Sequence, residues 1–432
     1  MSFELPFLSR RSLIRTGSIG LLSAVAGPAM AAGGPAAPGP TPLDRGKVEG
    51  GKVTFPNWRG EADRPSPPPP APLPPDQRVG FAIVGLGRLS LEQLLPAFAE
   101  CKRARPVALV SGSPEKARLV AAQYGIPDQA VYDYAGFDRI AEDPRVQVVY
   151  VVLPNGLHRE FVMRAAKAGK HVMCEKPMAN NSAEARDMVA ACDQAGVKLM
   201  VAYRCQYEPY NRETIQRVRS GDMGAARFIE ATNTQVMGPG DQWRFSKALA
   251  GGGALPDIGL YCLNTARAIT GEEPIEVFAR IFNPEGDPRY REVEESVSFM
   301  LRFPSGTIAN CTTSYGAHES KDLRVRLEEG WIDLENAFAY EGQQMQVAHR
   351  GGKAEIVERV RLPQQNQFAL EIDHMASCVK ENRMPRTPGQ EGVQDHVLME
   401  ALYESARTMA PVSLKAVSGR DTTRGPEPQQ EG

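Results

Sequence analysis

An apolar run followed by paired glycines constrains this chain more than any other feature. Residues 79–84 read Val-Gly-Phe-Ala-Ile-Val and predict a buried strand, and Gly85-Leu86-Gly87-Arg88-Leu89-Ser90 follows it. We expect a helix from about Ser90 to Cys101. Glycines between a strand and a helix admit a tight turn and the close approach of a dinucleotide pyrophosphate. Ser90 departs from the GxGxxG pattern, and an ordinary glycine-rich turn is the alternative.

The segments after this turn alternate between strand-like and helix-like patterns. Strands are predicted at 107–110, 146–153, 171–174 and 198–202, with helices at 114–124, 159–168 and 182–195. This alternation implies an α/β fold with a parallel, doubly wound sheet, and we expect that domain to cover residues 78–204.

The pattern changes after about Cys205. Strands are predicted at 275–282, 296–303, 307–314, 323–327, 331–334, 346–348 and 355–361, and two helices follow at 367–380 and 393–408. Successive strands with short turns indicate a mostly antiparallel sheet. We therefore expect a second, α+β domain over residues 205–415.

The N-terminus has the pattern of a targeting signal. Arg10-Arg11 precedes a modestly apolar run from Ile19 to Ala29, and Ala29-Met30-Ala31 offers a cleavage site. We expect residues 1–31 to be a twin-arginine signal peptide that exports an already folded protein to the periplasm. A chance arginine pair before a membrane anchor is the alternative, but the apolar run is too short to span a bilayer.

The composition excludes several classes of function. The formal net charge is −2 and no basic block occurs, so nucleic acid is not an expected partner. The seven cysteines are scattered without a CxxC pair or a Cys/His cluster, which predicts buried free thiols and no metal site. Residues 32–77 are rich in proline and predict an extended arm, and the polar residues 416–432 predict a flexible tail.

The end of the second predicted strand indicates which dinucleotide binds. An NAD enzyme usually carries an acidic residue there, which binds the adenosine ribose hydroxyls. In this chain Ser111 and Ser113 can donate hydrogen bonds to a 2′-phosphate, and Lys116 can supply its counter-charge. Glu115 is expected to face away, and Arg88 is a candidate to cover the adenine or the phosphate. NADP is therefore favoured over NAD.

Two later motifs supply groups for proton transfer. Lys176 follows a strand at its carboxyl end, where open α/β sheets bind ligands, and its ammonium can donate to a substrate hydroxyl. Asp257 and Tyr261 follow a glycine loop and share one helical face, because they are four residues apart. A phenol beside a cation can exchange a proton with an alcohol or carbonyl while hydride moves. Taken singly, each residue has a structural role as its simpler explanation.

The motifs occur in an order that resembles the glucose–fructose oxidoreductase and inositol dehydrogenase family. They are Gly85-Leu86-Gly87, Leu153-Pro154-Asn155-Gly156-Leu157-His158, Glu175-Lys176-Pro177, Tyr203-Arg204, Gln242-Trp243-Arg244 and Gly251-Gly252-Gly253 with Asp257. The resemblance covers nearly the whole chain after Arg78. It implies a Rossmann domain followed by an α+β domain with an open, mainly antiparallel sheet, whose exposed face often makes dimers. A homodimer or homotetramer is therefore expected.

The resemblance also implies roles for particular residues. Tyr261 would be the main acid and base, with Lys176 as its partner and Asp257 orienting the site. Arg204 and Arg244 would lie near the nicotinamide or the substrate, and the sugar would meet Lys176, Arg204, Asp257 and Tyr261. The 2′-phosphate would be held by Ser111, Lys116 and Tyr134. The other implied cofactor contacts are Gly85, Leu86, Gly87, Arg88, Leu89, Gly112, Ser113, Pro154, Asn155, Leu157, His158, Glu175, Lys176 and Trp243.

The implied activity is sugar:sugar oxidoreduction on tightly bound NADP, and it is closest to the periplasmic glucose–fructose branch. One sugar is oxidised at C1 to its lactone, and a second sugar, a ketose or an aldose, is reduced to an alditol. An NADP-dependent aldose dehydrogenase that releases its cofactor and a non-catalytic sugar-binding sensor are the alternatives. Two features depart from that branch: Arg88-Leu89-Ser90 replaces Lys-Tyr-Ala, and the loop 237–242 beside the expected sugar site is short.

Overall fold

The structure is a computed structural model that describes residues 47–49, 52–54, 72–238 and 242–428. The predicted signal peptide, 1–31, and most of the predicted arm, 32–77, lie outside the described residues. Within the arm, β1 (Lys47–Glu49) and β2 (Lys52–Thr54) form an antiparallel pair that the sequence analysis did not predict. Among the described residues, no helix has the length and apolar character needed to cross a membrane.

The first large sheet confirms the predicted doubly wound fold. Its described strands are β3 (Val79–Val84), β4 (Ala104–Val110), β5 (Val131–Tyr132), β6 (Val148–Val151), β7 (His171–Glu175) and β8 (Leu199–Ala202). They are parallel and lie in the order β5-β4-β3-β6-β7-β8. The strand order reverses beside β3, which opens a crevice at the carboxyl ends of the strands, where ligands of open α/β sheets bind.

The helices of this half are α1 (Leu95–Ala97), α2 (Pro114–Gln123), α3 (His158–Lys167) and α4 (Ser182–Gln194). The helix expected over residues 90–101 differs from the prediction. Ser90–Leu94 is a π-helical turn, and α1 continues it only to Ala97. Pro96 lacks an amide hydrogen, and beyond it the amides of Ala99 and Glu100 bond to carbonyls three residues back, which tightens and ends the helix.

The second large sheet is mixed but mostly antiparallel, as predicted. Its described strands are β9 (Ala226–Thr234), β10 (Glu276–Phe282), β11 (Ser296–Arg302), β12 (Ile308–Ser314), β13 (Ser320–Leu327), β14 (Gly330–Glu335), β15 (Gln344–Gly351), β16 (Ala354–Val360) and β17 (Val412–Ser413). Their order is β16-β15-β14-β13-β9-β12-β11-β10-β17, and β9 runs parallel to β12. The sequence analysis missed β9, in which exposed polar residues interrupt the apolar pattern.

Helices of the second half join the two sheets into one core. They are α5 (Pro209–Ser220), α6 (Lys247–Ala250), α7 (Leu260–Thr270), α8 (Gln367–Lys380) and α9 (Gly389–Thr408). α8 packs on β3 and β4, and α9 packs on both α4 and β10, while α7 lies against β9 and β12. One hydrophobic cluster therefore runs through both halves, and all seven cysteines are buried, free thiols.

The prediction of a flexible tail over residues 416–432 is wrong for the part that the structure describes, which ends at residue 428. The Asp421 carboxylate accepts hydrogen bonds from Arg219 at 2.7 and 2.9 Å. The guanidinium of Arg424 donates to Glu391 on α9 at 2.8 Å, and both side chains are fully buried. Polar composition predicts flexibility only where the charges face water, and here they pair inside the protein.

Candidate active site

A cavity of about 630 Å³ lies at the carboxyl ends of the central parallel strands and extends to the second sheet. This volume is typical of small-molecule sites. Its wall brings together twelve of the residues that the sequence analysis selected. They are Gly87, Arg88, Leu89, Pro154, Asn155, Glu175, Lys176, Arg204, Trp243, Arg244, Asp257 and Tyr261.

The glycine turn after β3 has the shape that a pyrophosphate requires. Gly85 has a φ of 96°, and a Cβ at this position would lie 2.2 Å from the carbonyl oxygen of Val152. A Cβ on Gly87 would meet nothing within 4 Å among the described residues, so the turn is open towards the cavity. Ser90 is fully buried and donates to the carbonyl of Gly85 at 2.6 Å. Ser90, which replaces the last glycine of the GxGxxG pattern, therefore closes the turn through this hydrogen bond.

The candidate residues for the 2′-phosphate lie together at the end of β4, outside the cavity wall. Val84 and Val110 are register partners, which places the turns at Gly85 and Ser111 side by side. The Oγ atom of Ser111 accepts from the amide of Ser113 at 3.2 Å, and the Tyr134 ring lies beside Gly112. Ser113 and Lys116 are exposed at the N-terminus of α2, where backbone amides favour an anion. We call this group, Ser111 to Lys116 with Tyr134, the phosphate end.

Besides Gly85 and the residues of the phosphate end, the described cavity wall does not include three predicted cofactor contacts, Leu86, Leu157 and His158. Leu86 is buried in the core and Leu157 is partly buried beside it. His158 is fully buried, and its ring nitrogens lie 3.0 Å from the carbonyl oxygen of Pro177 and 2.8 Å from that of Leu153. Burial lowers the pKa of His158. It joins the two loops that carry Pro154 and Lys176, which is a structural role.

Lys176 is held against Asp257 in the cavity wall. Its Nζ donates to the backbone carbonyl of Asp257 at 2.7 Å and to Oδ1 of the same residue at 3.2 Å. An ammonium has three N–H groups, and these two contacts use two of them. The side chains are 11% and 16% exposed, so the pair is largely shielded from water yet open to the cavity.

Asp257 has further partners that keep it ionised. Its Oδ2 accepts from Arg244 Nε at 2.9 Å and from the Tyr315 hydroxyl at 2.7 Å. Burial alone would raise the pKa of Asp257, but the charges of Arg244 and Lys176 outweigh it and hold the pKa well below its usual range. Asp257 is therefore a fixed negative charge that orients two cations.

Tyr261 lies between cations in the same wall. Its hydroxyl accepts from Arg204 Nε at 3.2 Å, and Lys176 Nζ is 4.6 Å from the ring centroid. Burial raises the pKa of Tyr261 although the charge of Arg204 opposes it. Arg204 is fixed in turn, because it donates to the Phe338 carbonyl at 2.6 Å and to Gln367 Oε1 at 2.5 Å. We call Lys176, Arg204, Asp257 and Tyr261 the reacting end.

The glycine loop before Asp257 is anchored by a buried carboxylate. Glu294 accepts from the amides of Gly253 and Leu255, both at 2.9 Å, and from the Tyr403 hydroxyl at 3.0 Å. A Cβ on Gly253 would lie 1.9 Å from the Glu294 carbonyl oxygen, so only glycine fits there. Residues 255–259 form a π-helical turn that leads into α7 and presents both Asp257 and Tyr261 to the cavity.

Several wall residues were missed by the sequence analysis. Asn233 lies on β9, whose pattern did not predict a strand, and Gln235 directly follows it; Asn233 Oδ1 is buried without a partner among the described residues. Tyr315, which donates to the wall residue Asp257, follows β12 and carries no local motif. The short loop 237–242 lies partly outside the described residues, which lack 239–241. The other missed residues with polar or aromatic side chains are Glu319, Lys321, Phe338, Tyr340, Glu341, Phe368 and Glu371.

Comparisons with known proteins agree with this geometry. A family described as oxidoreductases with an NAD-binding Rossmann fold matches residues 79–203, and the GFO/IDH/MocA C-terminal domain matches residues 212–333. The D-xylose 1-dehydrogenase [NADP(+)] of Haloarcula marismortui is 32% identical over 345 residues, which are 78% of this chain and 94% of that protein. The crystal structure of the aldose–aldose oxidoreductase of Caulobacter crescentus is 44% identical, with a TM-score of 0.75 over 78% of this chain and 100% of that one.

Proposed function

We propose that this chain, which belongs to the GFO/IDH/MocA oxidoreductase family, is an exported sugar:sugar oxidoreductase that keeps NADP bound through its cycle. One sugar is oxidised at C1 to its lactone, and a second sugar, a ketose or an aldose, is reduced to an alditol. The observation that carries this proposal is the contact of Lys176 with both Asp257 and Tyr261 beside the crevice of the doubly wound sheet. The similarity to an aldose–aldose oxidoreductase supports two sugars as substrates.

The residues of the crevice fit a dinucleotide with a 2′-phosphate. The open side of Gly87 leaves room for the pyrophosphate, and the hydroxyls and ammonium of the phosphate end match a phosphate dianion. Arg204 and Arg244 border the opposite part of the cavity, where the nicotinamide would lie. When bound, NADP accepts a hydride from one sugar carbon and returns it to another.

Lys176 and Tyr261 handle the proton of the reacting hydroxyl. The third N–H of Lys176 is available to a sugar oxygen, since Asp257 accepts the other two. Tyr261, whose pKa is raised by burial, is protonated at neutral pH and donates to a carbonyl oxygen that is being reduced. In the oxidation Tyr261 gives up its own proton to the cavity and takes the proton of the sugar hydroxyl, while Lys176 and Arg204 stabilise the phenolate that forms in passing. Asp257 orients Lys176 and Arg244.

Retention of the cofactor follows from the proposed location. Residues 1–31 carry the twin-arginine pattern, and free NADP is not expected outside the cytoplasm, so an exported enzyme must carry its own. The proposed organisation is a signal peptide (1–31), an arm (32–77), a Rossmann domain (78–204) and a substrate and oligomerisation domain (205–415). The exposed residues of β16 lie at the edge of the second sheet, which supports a homodimer or homotetramer.

Two measurements test the proposed reaction. The full chain is purified, desalted and denatured, and the released nucleotide is identified; the intact protein is then assayed with pairs of sugars and no added cofactor. We expect NADP in the released fraction and lactone formed together with alditol. Turnover that requires added NADP and yields free NADPH would instead favour an aldose dehydrogenase, as the Haloarcula relative is named.

A separate experiment tests export. The double variant Arg10→Lys, Arg11→Lys is expected to keep the protein out of the periplasm, because the twin arginine is the recognised feature of the signal. Arg15→Lys, in the same segment, is the matched control. Equal periplasmic amounts of the double variant and the wild type would contradict the twin-arginine route.

A further inference from the structure

Two buried acids and a tyrosine lie in and behind one part of the cavity wall. Glu175 ends β7 and borders the cavity with 8% of its surface exposed. Glu371, on α8, also lines the cavity but is fully buried, and Tyr150, on β6, is fully buried behind the wall. We call Glu175, Tyr150 and Glu371 the acid cluster. The proton chemistry described for Lys176 and Tyr261 makes no use of it.

The hydrogen bonds of the cluster leave one acid without a partner. The Tyr150 hydroxyl donates to Glu175 Oε1 at 2.7 Å. Both carboxyl oxygens of Glu371 are buried and have no hydrogen-bond partner among the described residues. Without a cation in the cavity, an ionised carboxylate in that position would be strongly destabilised. A protonated Glu371 can donate to the hydroxyl oxygen of Tyr150. The hydrogen bonds then follow one another, from Glu371 to Tyr150 and from Tyr150 to Glu175.

The charges around the cluster favour a shared proton. Burial raises the pKa of Glu371, the charge of Glu175 raises it further, and only Arg204 and the Tyr150 hydroxyl oppose this. Burial also raises the pKa of Glu175, with Tyr150, Lys176 and Arg204 opposing. The other titratable groups that face Glu371 are Cys101, Cys205 and Tyr207, which burial keeps neutral. Two acids in one apolar site titrate as a pair and exchange protons in separate steps.

We propose that the acid cluster is a proton store, which takes up one proton when the bound dinucleotide is reduced and returns it when the dinucleotide is oxidised. Glu175 is the entrance, because it is the only one of the three with exposed surface, and it borders the cavity that also exposes Tyr261. Tyr150 passes the proton by turning its hydroxyl, and Glu371 holds it out of contact with water. This inference rests on the proposed two-step function, in which one half-reaction releases the proton that the other consumes.

The steps balance in both directions. In the oxidation the sugar C–H bond breaks and its electron pair leaves as hydride to the dinucleotide. The O–H proton passes to Tyr261 as the proton of Tyr261 leaves across the cavity to an ionised Glu175. In the reduction the hydride returns to the second sugar carbon, Tyr261 gives its proton to the new hydroxyl, and the stored proton returns to Tyr261. A bound nicotinamide ring would be cationic when oxidised and neutral when reduced, so the loss of its charge would favour protonation of the store.

Infrared difference spectroscopy of the holoenzyme tests the store directly. The protein with its bound nucleotide is compared before and after reduction by a sugar donor, or by borohydride followed by desalting. In the wild type we expect one protonated-carboxyl band to appear on reduction. Glu371→Gln should lack this change, because an amide cannot take up the proton, and Glu371→Asp should restore it with a shift. Glu381→Gln, an exposed acid at the end of α8, is the matched control and should behave as the wild type.

A proton count supplies the second readout. In weak buffer with an indicator dye, the wild type should release close to no protons per reduced dinucleotide, and Glu371→Gln close to one. If reduction of the wild type produces no new carboxyl band, the proposal of a proton store is refuted. It is also refuted if a Glu371→Gln protein that retains its nucleotide shows the same band as the wild type. If Glu371→Gln does not fold, the wild-type spectra and Tyr150→Phe decide. If borohydride reduces the bound nucleotide but none of the sugars does, the proposed function is refuted. The carboxyl band measured after borohydride reduction would still test the proton store.

Discussion

The reacting end and the phosphate end of the crevice are held by different kinds of contact. At the reacting end Lys176 and Asp257 are largely buried, and the side chain of each makes two or more hydrogen bonds. At the phosphate end Ser113 and Lys116 are exposed, and the Ser111 side chain accepts a 3.2 Å hydrogen bond from the Ser113 amide within the turn. Proton transfer needs atoms placed in advance, whereas a phosphate attracts mobile donors through charge. Substitutions should therefore have larger effects at the reacting end.

Tyr261→Phe tests the largest expected effect. It removes the phenol hydroxyl that we assign to proton exchange with the sugar and leaves the ring packed, so the rate of either half-reaction should fall by about 10³-fold. The measurement is the single-turnover reduction of the bound dinucleotide by a donor sugar. Tyr340→Phe is the matched control, since Tyr340 borders the same cavity but is half exposed. Equal losses of rate in the two variants would contradict the assignment of Tyr261 as the reacting phenol.

Asp257→Asn should have the next largest effect. The change removes the negative charge shared by Lys176 and Arg244, and the loss of charge-assisted hydrogen bonds of roughly 1.5–3 kcal/mol predicts about a 10- to 100-fold slower half-reaction. Single-turnover kinetics measure it, with Asp187→Asn, in a surface ion pair with Arg159, as the control. A rate within twofold of the wild type would mean that the packed network does not orient Lys176.

The stability of the reacting end should depend on pH in a defined direction. The pKa of Asp257 is lowered in the fold from its ordinary 3.8. The group therefore contributes stability that is fully present above the unfolded-state pKa and is lost as the pH falls through the folded-state value. The difference in unfolding free energy between the wild type and Asp257→Asn should be constant from neutral pH to about pH 5 and shrink below pH 4. Urea unfolding at several pH values measures this difference. A difference that grows as the pH falls would contradict a lowered pKa for Asp257.

Lys116→Ala tests the smallest effect, at the phosphate end. An exposed ion pair contributes up to about 1 kcal/mol, so the affinity for NADP should fall by roughly fivefold while the affinity for NAD stays unchanged. Titration of the nucleotide-free protein with both dinucleotides measures it. Arg118→Ala, an exposed cation one half-turn further along α2, is the control. A loss of NADP affinity larger than the loss of rate in the reacting-end variants would contradict the comparison of the two ends.

Local patterns predicted the parts of the fold and site that lie within one motif. Val79–Val84 with its glycine turn, the loop ending at Lys176 and the turn before Asp257 each have a sequence signature. They bring Gly87, Lys176 and Asp257 to the cavity wall, as expected. The strands of the doubly wound sheet were found because buried parallel strands are apolar along their whole length. β9 was missed because exposed polar residues interrupt its apolar pattern and its two strand neighbours come later in the chain.

Contacts between distant segments could not be predicted from the sequence. Tyr315 reaches Asp257 across 58 residues, and Gln367 reaches Arg204 across 163, so no spacing rule connects them. His158 was assigned to the cofactor by its motif, but its two backbone contacts make it a buried link between loops. Glu371 lies in an ordinary amphipathic helix, and only the folded core shows that its carboxyl has no hydrogen-bond partner among the described residues.

The docked C-terminal segment has a consequence for how the core is completed. The amide of Asp421 bonds to the carbonyl of Gly271, and that of Gly425 bonds to Arg386, so residues 421–425 complete contacts made by α5, α7 and α9. Without Arg424 the fully buried Glu391 carboxylate would lose its cation, and an uncompensated buried charge is strongly destabilising. Detachment of this segment would therefore open the interior to water, so the segment belongs to the same cooperative unfolding unit as the helices that it contacts.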